Sequence, residues 1–255
     1  MSISNAGEFR AEVRKHPEWF YIIHYSCQSL FDENEELSPR ITSIAVSFYS
    51  TRQVVSFSTH AIAEELGIAR EEVPERYNDV ERALLEKFYD FVRDRRDKYW
   101  VHWNMRNLTF GFEHIEHRAR VLRIPNIPTI PVERRINLSD MLGLWYGSSY
   151  VDDPKMSKLM DLNGGIHREF LSGKDEFEAF RGQDYIKLHK STLSKVGFFD
   201  KVISKWIKGK LKTNSKQFWA WVDRAFESRV VKIIAMFSMV VTIFSVLVSL
   251  VRGFL

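Results

Sequence analysis

The chain has 255 residues, 45% hydrophobic and 14% aromatic, which suffices for one sizeable core and excludes a disordered chain. A single cysteine, Cys27, excludes an intrachain disulfide framework, and without a charged-then-apolar leader the bulk of the chain is expected in the cytoplasm. The net charge of +4 is uneven: residues 201–229 hold eight Lys/Arg against Asp223 and Glu227, Lys232 and Arg252 follow, and residues 1–200 are left at −4, which argues against broad binding of a phosphate backbone because that needs clustered cations.

After an N-terminal segment, residues 1–18, three runs rich in β-branched and aromatic residues predict strands: WFYIIHYS (19–26), RITSIAVSFYS (40–50) and QVVSFST (53–59). HAIAEELGI predicts a short helix. NDVERALLEKFYDFVRDRR predicts a longer one, with Val80, Ala83, Leu84, Phe88 and Phe91 on its apolar face. KYWVHWN then predicts a buried strand, FGFEHIEHRARVL a helix, and PNIPTIP (125–131) a stiff connector. A short strand around RRINLSD leads into helices, among them one over KDEFEAFRGQDYIKLHKSTLSKV (174–196). The order β-β-β-α-β-α-β-α predicts an α/β (α+β) domain over residues 19–198, a mixed β-sheet flanked by helices.

The polar groups of this domain fall at strand ends. In HWNM, His102 and Asn104 alternate with Trp103 and Met105, which predicts a polar face at a strand's C-terminal end, where open α/β sheets place ligands. A ligand or partner contact and a His-Asn pair satisfying buried backbone are both open there. In EHIEH, His114 and His117 share a helix face at metal-ligand spacing, but no third ligand is identifiable, and exposed histidines are expected. LNGG is a turn or helix stop, and Cys27 near His24 is expected to be a buried structural cysteine.

Over residues 19–196, element order and local strings resemble the RNase H-like fold of the DEDD proofreading-type exonucleases. The resemblance implies carboxylates holding two Mg²⁺ or Mn²⁺ ions. Where the first strand of that family carries Asp-x-Glu, this chain has His24 and Ser26. VHWNMRNLTFGF keeps His102, Asn104 and Phe110 but has Gly111 in place of the acid. The third motif, His then four residues then Asp, is nearest at His189 with Ser194. The expectation is a retained frame without catalytic residues or cofactor, since neutral His, Ser and Gly do not hold paired divalent cations. Asp32, Asp140, Asp175, Glu176 and Asp184 are the acids left for an unusual metal site, with Mg or Mn required only in that case.

Residues 199–229 alternate Ile203, Trp206, Ile207 and Leu211 with Lys205, Lys208 and Lys212, followed by Trp219 and Trp221. This pattern is expected to lie on an anionic membrane surface, the alternative being that its apolar residues pack on the domain. Within residues 230–252, the stretch 233–251 has no charge over 19 residues, about 28 Å as a helix, and predicts a single transmembrane anchor. The cations before it place the N-terminal domain on the cytoplasmic side of an inner membrane. Ser238, Thr242, Ser245 and Ser249 share one face of that helix, which predicts self-association or a wet path in a homo-oligomer. This architecture resembles membrane effectors of bacterial antiphage systems. The expected function is therefore an inactive nuclease-fold effector, with a membrane-bound nuclease or a scaffold recruiting a protein partner as alternatives, and contact with nucleic acid left open.

Overall fold

The computed structural model describes residues 3–28, 38–106 and 109–214. Asp32, Trp219, Trp221, the transmembrane stretch and its Ser238, Thr242, Ser245 and Ser249 lie outside the described residues. Among the described residues no helix is long and apolar enough to cross a membrane.

A five-stranded sheet has the order β3-β2-β1-β4-β5, with β1 Phe20–Cys27, β2 Ile41–Phe48, β3 Val54–Ser58, β4 Tyr99–His102 and β5 Arg135–Asn137. The first three strands form an antiparallel meander, while β4 and β5 run parallel to β1. All three expected early strands and both later ones are present. The helices are α1 Ala6–Lys15, α2 Thr59–Glu65, α3 Tyr77–Arg93, α4 Phe112–Val121, α5 Leu138–Tyr146, α6 Lys155–Leu162, α7 Gly173–Arg181 and α8 Tyr185–Ile207.

The sheet is buried on both faces, as near-continuous apolar runs demand. On one face Ile23, Tyr25, Ile44, Val46 and Trp100 pack with Val80, Leu84 and Phe88 of α3 and Ile115 of α4. On the other, Phe20, Ile22, Ala45, Val101 and Trp103 pack with Phe9 of α1, Leu142 of α5 and Val196, Phe199 and Trp206 of α8.

The structure adds one helix to the sequence reading and corrects it at three places. Residues 1–18 contain a helix: Asn5 caps it by accepting from the Glu8 N–H (2.8 Å), and Ala6, Phe9 and Val13, spaced for one face, are buried. The single helix over 174–196 is two, because a left-handed Gln183 (φ 55°) turns the chain and Asp184 restarts it by accepting from the Lys187 N–H (3.1 Å). The boundary at residue 198 falls inside α8, which runs unbroken for 23 residues. Ile203, Trp206 and Leu211 are fully buried in the core of the domain, so Trp206 is not a membrane-surface residue. Its ring stacks on Phe9 with centroids 5.6 Å apart and meets Trp145 edge-on. Helix α1 supplies the apolar partner that makes this burial favourable. Lys208 and Lys212 do remain exposed.

One buried charge pair ties α3 to α4. Glu81, with no exposed surface, accepts from Arg118 Nε (2.9 Å) and Nη2 (2.5 Å) and from the Ile41 N–H (2.8 Å) at the start of β2. Arg118→Met leaves an uncompensated buried carboxylate and is expected to destabilise the domain by about 3–5 kcal/mol. Adding Glu81→Gln should recover part of that loss, because the amide still accepts from Ile41 without a charge. Guanidinium unfolding of the two variants, followed by near-UV circular dichroism, checks the order.

Candidate functional site

The C-terminal ends of β1, β4 and β5 carry the polar residues of interest, and they form two regions. In the first, α8 crosses β1 and β2 on a face built from Ser26, Ser43 and Ser47. Such a face must be met by hydrogen-bonding partners, since a buried hydroxyl without one costs free energy. Ser26 Oγ lies 2.8 Å from Thr192 Oγ1 and donates to Glu176 Oε1 (2.9 Å). The same carboxylate oxygen accepts from Ser191 Oγ (3.2 Å) and from Lys195 Nζ (2.7 Å). Lys195 is 5% exposed, so one buried cation faces one carboxylate inside a closed polar cluster.

His24 sits beside this cluster, between the rings of Phe110 (5.9 Å) and Phe199 (5.7 Å). Its Nδ1 has no hydrogen-bond partner among the described residues. Burial, then Lys195 and then His102, holds its pKa well below the ordinary range, so the ring is neutral at physiological pH. Gly111 lies close by, its N–H donating to the Tyr25 hydroxyl (2.9 Å). The first two expected motif positions are thus brought together. The third is not: Ser26 of β1 is met by Thr192 of α8, whereas Ser194 is turned away and donates to the Ser191 carbonyl (2.9 Å). His189 lies over the neighbouring strands, with Nδ1 2.8 Å from Ser43 Oγ and its ring 5.2 Å from that of His60. Burial and then His60 push His189 down to about 4.

The remaining acids are placed by helix electrostatics. Asp140 and Asp175 stand in the first turns of α5 and α7, and Asp184 caps α8, where carboxylates complement unpaired N–H groups and the positive dipole end. Among the described residues no three His, Cys, Asp or Glu side chains gather closely enough to hold a metal ion.

The second region is an open crevice at the ends of β4 and β5. Asn104 adopts left-handed backbone (φ 54°), a conformation asparagine tolerates. Its N–H donates to Asn137 Oδ1 (3.1 Å), and its Oδ1 accepts from Asn137 Nδ2 (3.1 Å) and Arg106 Nη2 (2.7 Å). Arg106 also pairs with Asp140 at 2.7 Å. A cavity of about 710 Å³ opens beside them, walled by Trp103, Gly143, Leu144, Tyr150 and Met156. A second of about 310 Å³ lies across Arg106, next to His102 and Arg135. A half-exposed guanidinium beside an amide pair and an apolar wall suits a small ligand with an anionic or carbonyl group.

The residues offered by the sequence for ligand or partner binding, His24, Ser26, His102, Trp103, Asn104 and His189, therefore separate. His24 and Ser26 belong to the α8 cluster, His189 to the sheet's other edge, and Trp103 is 3% exposed and stacked on Phe199 at 5.5 Å. His102 serves the backbone, its Nδ1 accepting from the Met105 N–H (3.2 Å). Only Asn104 reaches the crevice with an available polar group. One other expectation changes: His114 is buried, with Nε2 2.9 Å from the Pro39 carbonyl, while His117 is exposed as expected. Cys27 packs against the core cluster of Tyr25, on the face opposite His24, and burial pushes its thiol up to about 12, so it is neither paired with that histidine nor a thiolate. Lys195, Arg106 and Asn137 escaped the sequence reasoning. Asn137 was open to inference as a helix cap directly after a predicted strand.

No protein-family model matches the chain, and neither characterised proteins nor solved structures match it.

Burial, then Arg106 and Arg135, pushes His102 down to about 3. With the unfolded ring near its ordinary 6.5, the unfolded state binds more protons as pH falls between those values. The stability contribution is present above 6.5 and is lost on acidification, by about 2 kcal/mol between pH 7 and pH 5. His102→Asn keeps an acceptor for Met105 without a titrating group. Its midpoint temperature should fall less over that interval than that of the unsubstituted chain, and a parallel fall would contradict the assignment.

Proposed function

We propose that this chain is a membrane-tethered, non-catalytic protein with an RNase H-like cytoplasmic domain, acting as an oligomerising membrane effector. The observation that carries the non-catalytic part is Lys195. In the resembled exonucleases, paired divalent cations require converging carboxylates. Here His24 and Ser26 occupy the β1 positions, the one carboxylate beside them among the described residues is Glu176, and a buried ammonium already neutralises it. Electrostatic repulsion by that ammonium opposes a divalent ion at the same place. The strand order, an antiparallel meander followed by two strands parallel to the first, supports the likeness to that fold.

The tether rests on the uncharged stretch 233–251 and the cations before it. Self-association through Ser238, Thr242, Ser245 and Ser249 rests on their common helix face, and the setting in antiphage defence rests on architecture alone. In this proposal the crevice at Asn104 and Arg106 receives the ligand or partner segment that controls the effector.

Expressed in a bacterial host, the full chain should collapse the membrane potential, read with a voltage-sensitive dye, and arrest growth. A chain ending at Arg229 should do neither. The purified full chain should leave DNA and RNA intact with Mg²⁺ or Mn²⁺. Growth arrest by the shortened chain with the potential intact, or metal-dependent cleavage lost on changing Asp140 or Asp184, would overturn the proposal in favour of a nuclease.

A further inference from the structure

The outward face of α8 has a shape as well as a charge. Lys190, Ser194, Gly197 and Lys201 recur at helical spacing along it, and the two lysines are about 16 Å apart along the axis. Between them the small Ser194 and Gly197 keep the helix surface low, and a Cβ added at Gly197 would meet nothing within 4 Å. Opposite, the turn at residues 164–169 raises a second wall, enclosing a groove of about 830 Å³. Arg168 adds a third cation, and the one carboxylate of the lining, Glu169, is paired with it at 3.1 Å. His167 also lines the groove, its Nδ1 accepting from the Glu169 N–H at 3.2 Å.

Two further observations say what fits there. Ile166, at the rim of this cationic groove, is 54% exposed. An aliphatic side chain held in water beside lysines is the arrangement of a surface that enters the headgroup layer of a bilayer. The described chain also ends along this edge: Asn163 holds Lys212 through both backbone groups (2.9 and 3.0 Å) and, through its carbonyl, accepts from Lys205 Nζ (2.5 Å). Only residues 215–232 separate the last described position from the uncharged stretch. Burial and then Lys201 and Lys212 draw Lys205 below the ordinary lysine range.

We infer that this groove seats the phosphates of anionic lipid headgroups between Lys190, Lys201 and Arg168, with Ile166 in the interfacial layer, so that the domain rests on the membrane that anchors it. The inference depends on the anchoring proposed above and replaces the surface first expected of Trp206 with one on the outer side of the same helix.

The test uses the full chain in lipid nanodiscs of phosphatidylcholine or of phosphatidylglycerol, with lysine acylation rates read by mass spectrometry. Lys190 and Lys201 should be protected at least about threefold in the anionic discs, while Lys87, on α3, is unchanged. Gly197→Glu places a carboxylate in open space on the helix surface and should abolish the protection without altering the circular dichroism spectrum. Equal rates at Lys190 and Lys201 in the two discs, with the chain retained in both, would overturn the inference and leave the anchor standing. Protection in phosphatidylcholine discs by added inorganic phosphate alone would overturn it in favour of a soluble phosphate ligand. A chain that washes out of both discs would remove the anchor and this inference with it.

Discussion

The seat of α8 on the sheet is the contact on which the rest of this domain depends. The strand face beneath it carries Ser26, Ser43 and Ser47 as well as apolar residues, and a helix with only leucines there would strand those hydroxyls. Helix α8 instead brings Thr192 to Ser26 and His189 to Ser43. The arrangement is directional, since each bond fixes the helix in one rotation and one register, which apolar packing alone specifies less sharply. Helix α7 is fixed by the same cluster, because Glu176 is its link to both Ser26 and Lys195.

That cluster also sets the electrostatics of the strand ends. With Lys195 buried against β1, a neutral ring is the favourable form of His24, and an additional cation is disfavoured there. The other conspicuous acids are spent at the first turns of α5, α7 and α8, where they meet unpaired N–H groups. The polar chemistry near the sheet is thus divided between a closed cluster that holds helices and an open crevice at Asn104 and Arg106 that does not fill itself. Of these two, the crevice is the one that offers a half-exposed charged group beside empty volume.

How much of this was legible in the sequence differs by type of signal. The five strands and the amphipathic α3 were readable because β-branched runs and a 3.6-residue period are local properties. The break before Asp184 was harder: Gly182, Gln183 and Asp184 stop one helix and cap another, but the apolar spacing continues across them. The largest error, Trp206, came from a pattern that two environments satisfy equally. Apolar residues alternating with lysines suit a membrane surface and a half-buried helix alike, and the deciding partner, Phe9, lies 197 positions away in sequence. Lys195 was invisible for the same reason, since its partner Glu176 is on another helix and its burial depends on β1.

Helix α1 fixes the other end of α8. Arg10 and Arg14 donate to the Trp206 and Ile207 carbonyls, Arg14 at 2.7 Å, satisfying acceptors that a helix leaves open at its C-terminus and placing positive charge at the negative dipole end. Arg10 also lies over the Trp145 ring at 4.2 Å, so α1, α5 and α8 meet at one corner. Beyond it, Asn163 fixes Lys212, and Asn214 donates to the Tyr150 carbonyl (2.8 Å) through its N–H. The end of α8 and the last described residues are therefore bonded to the N-terminal helix, to the turn after α6 and to the wall of the crevice. A ligand that moved Tyr150 or the loop around it would act on Asn214, the last described residue before the uncharged stretch, and α8 would carry the same displacement back to the polar cluster on β1.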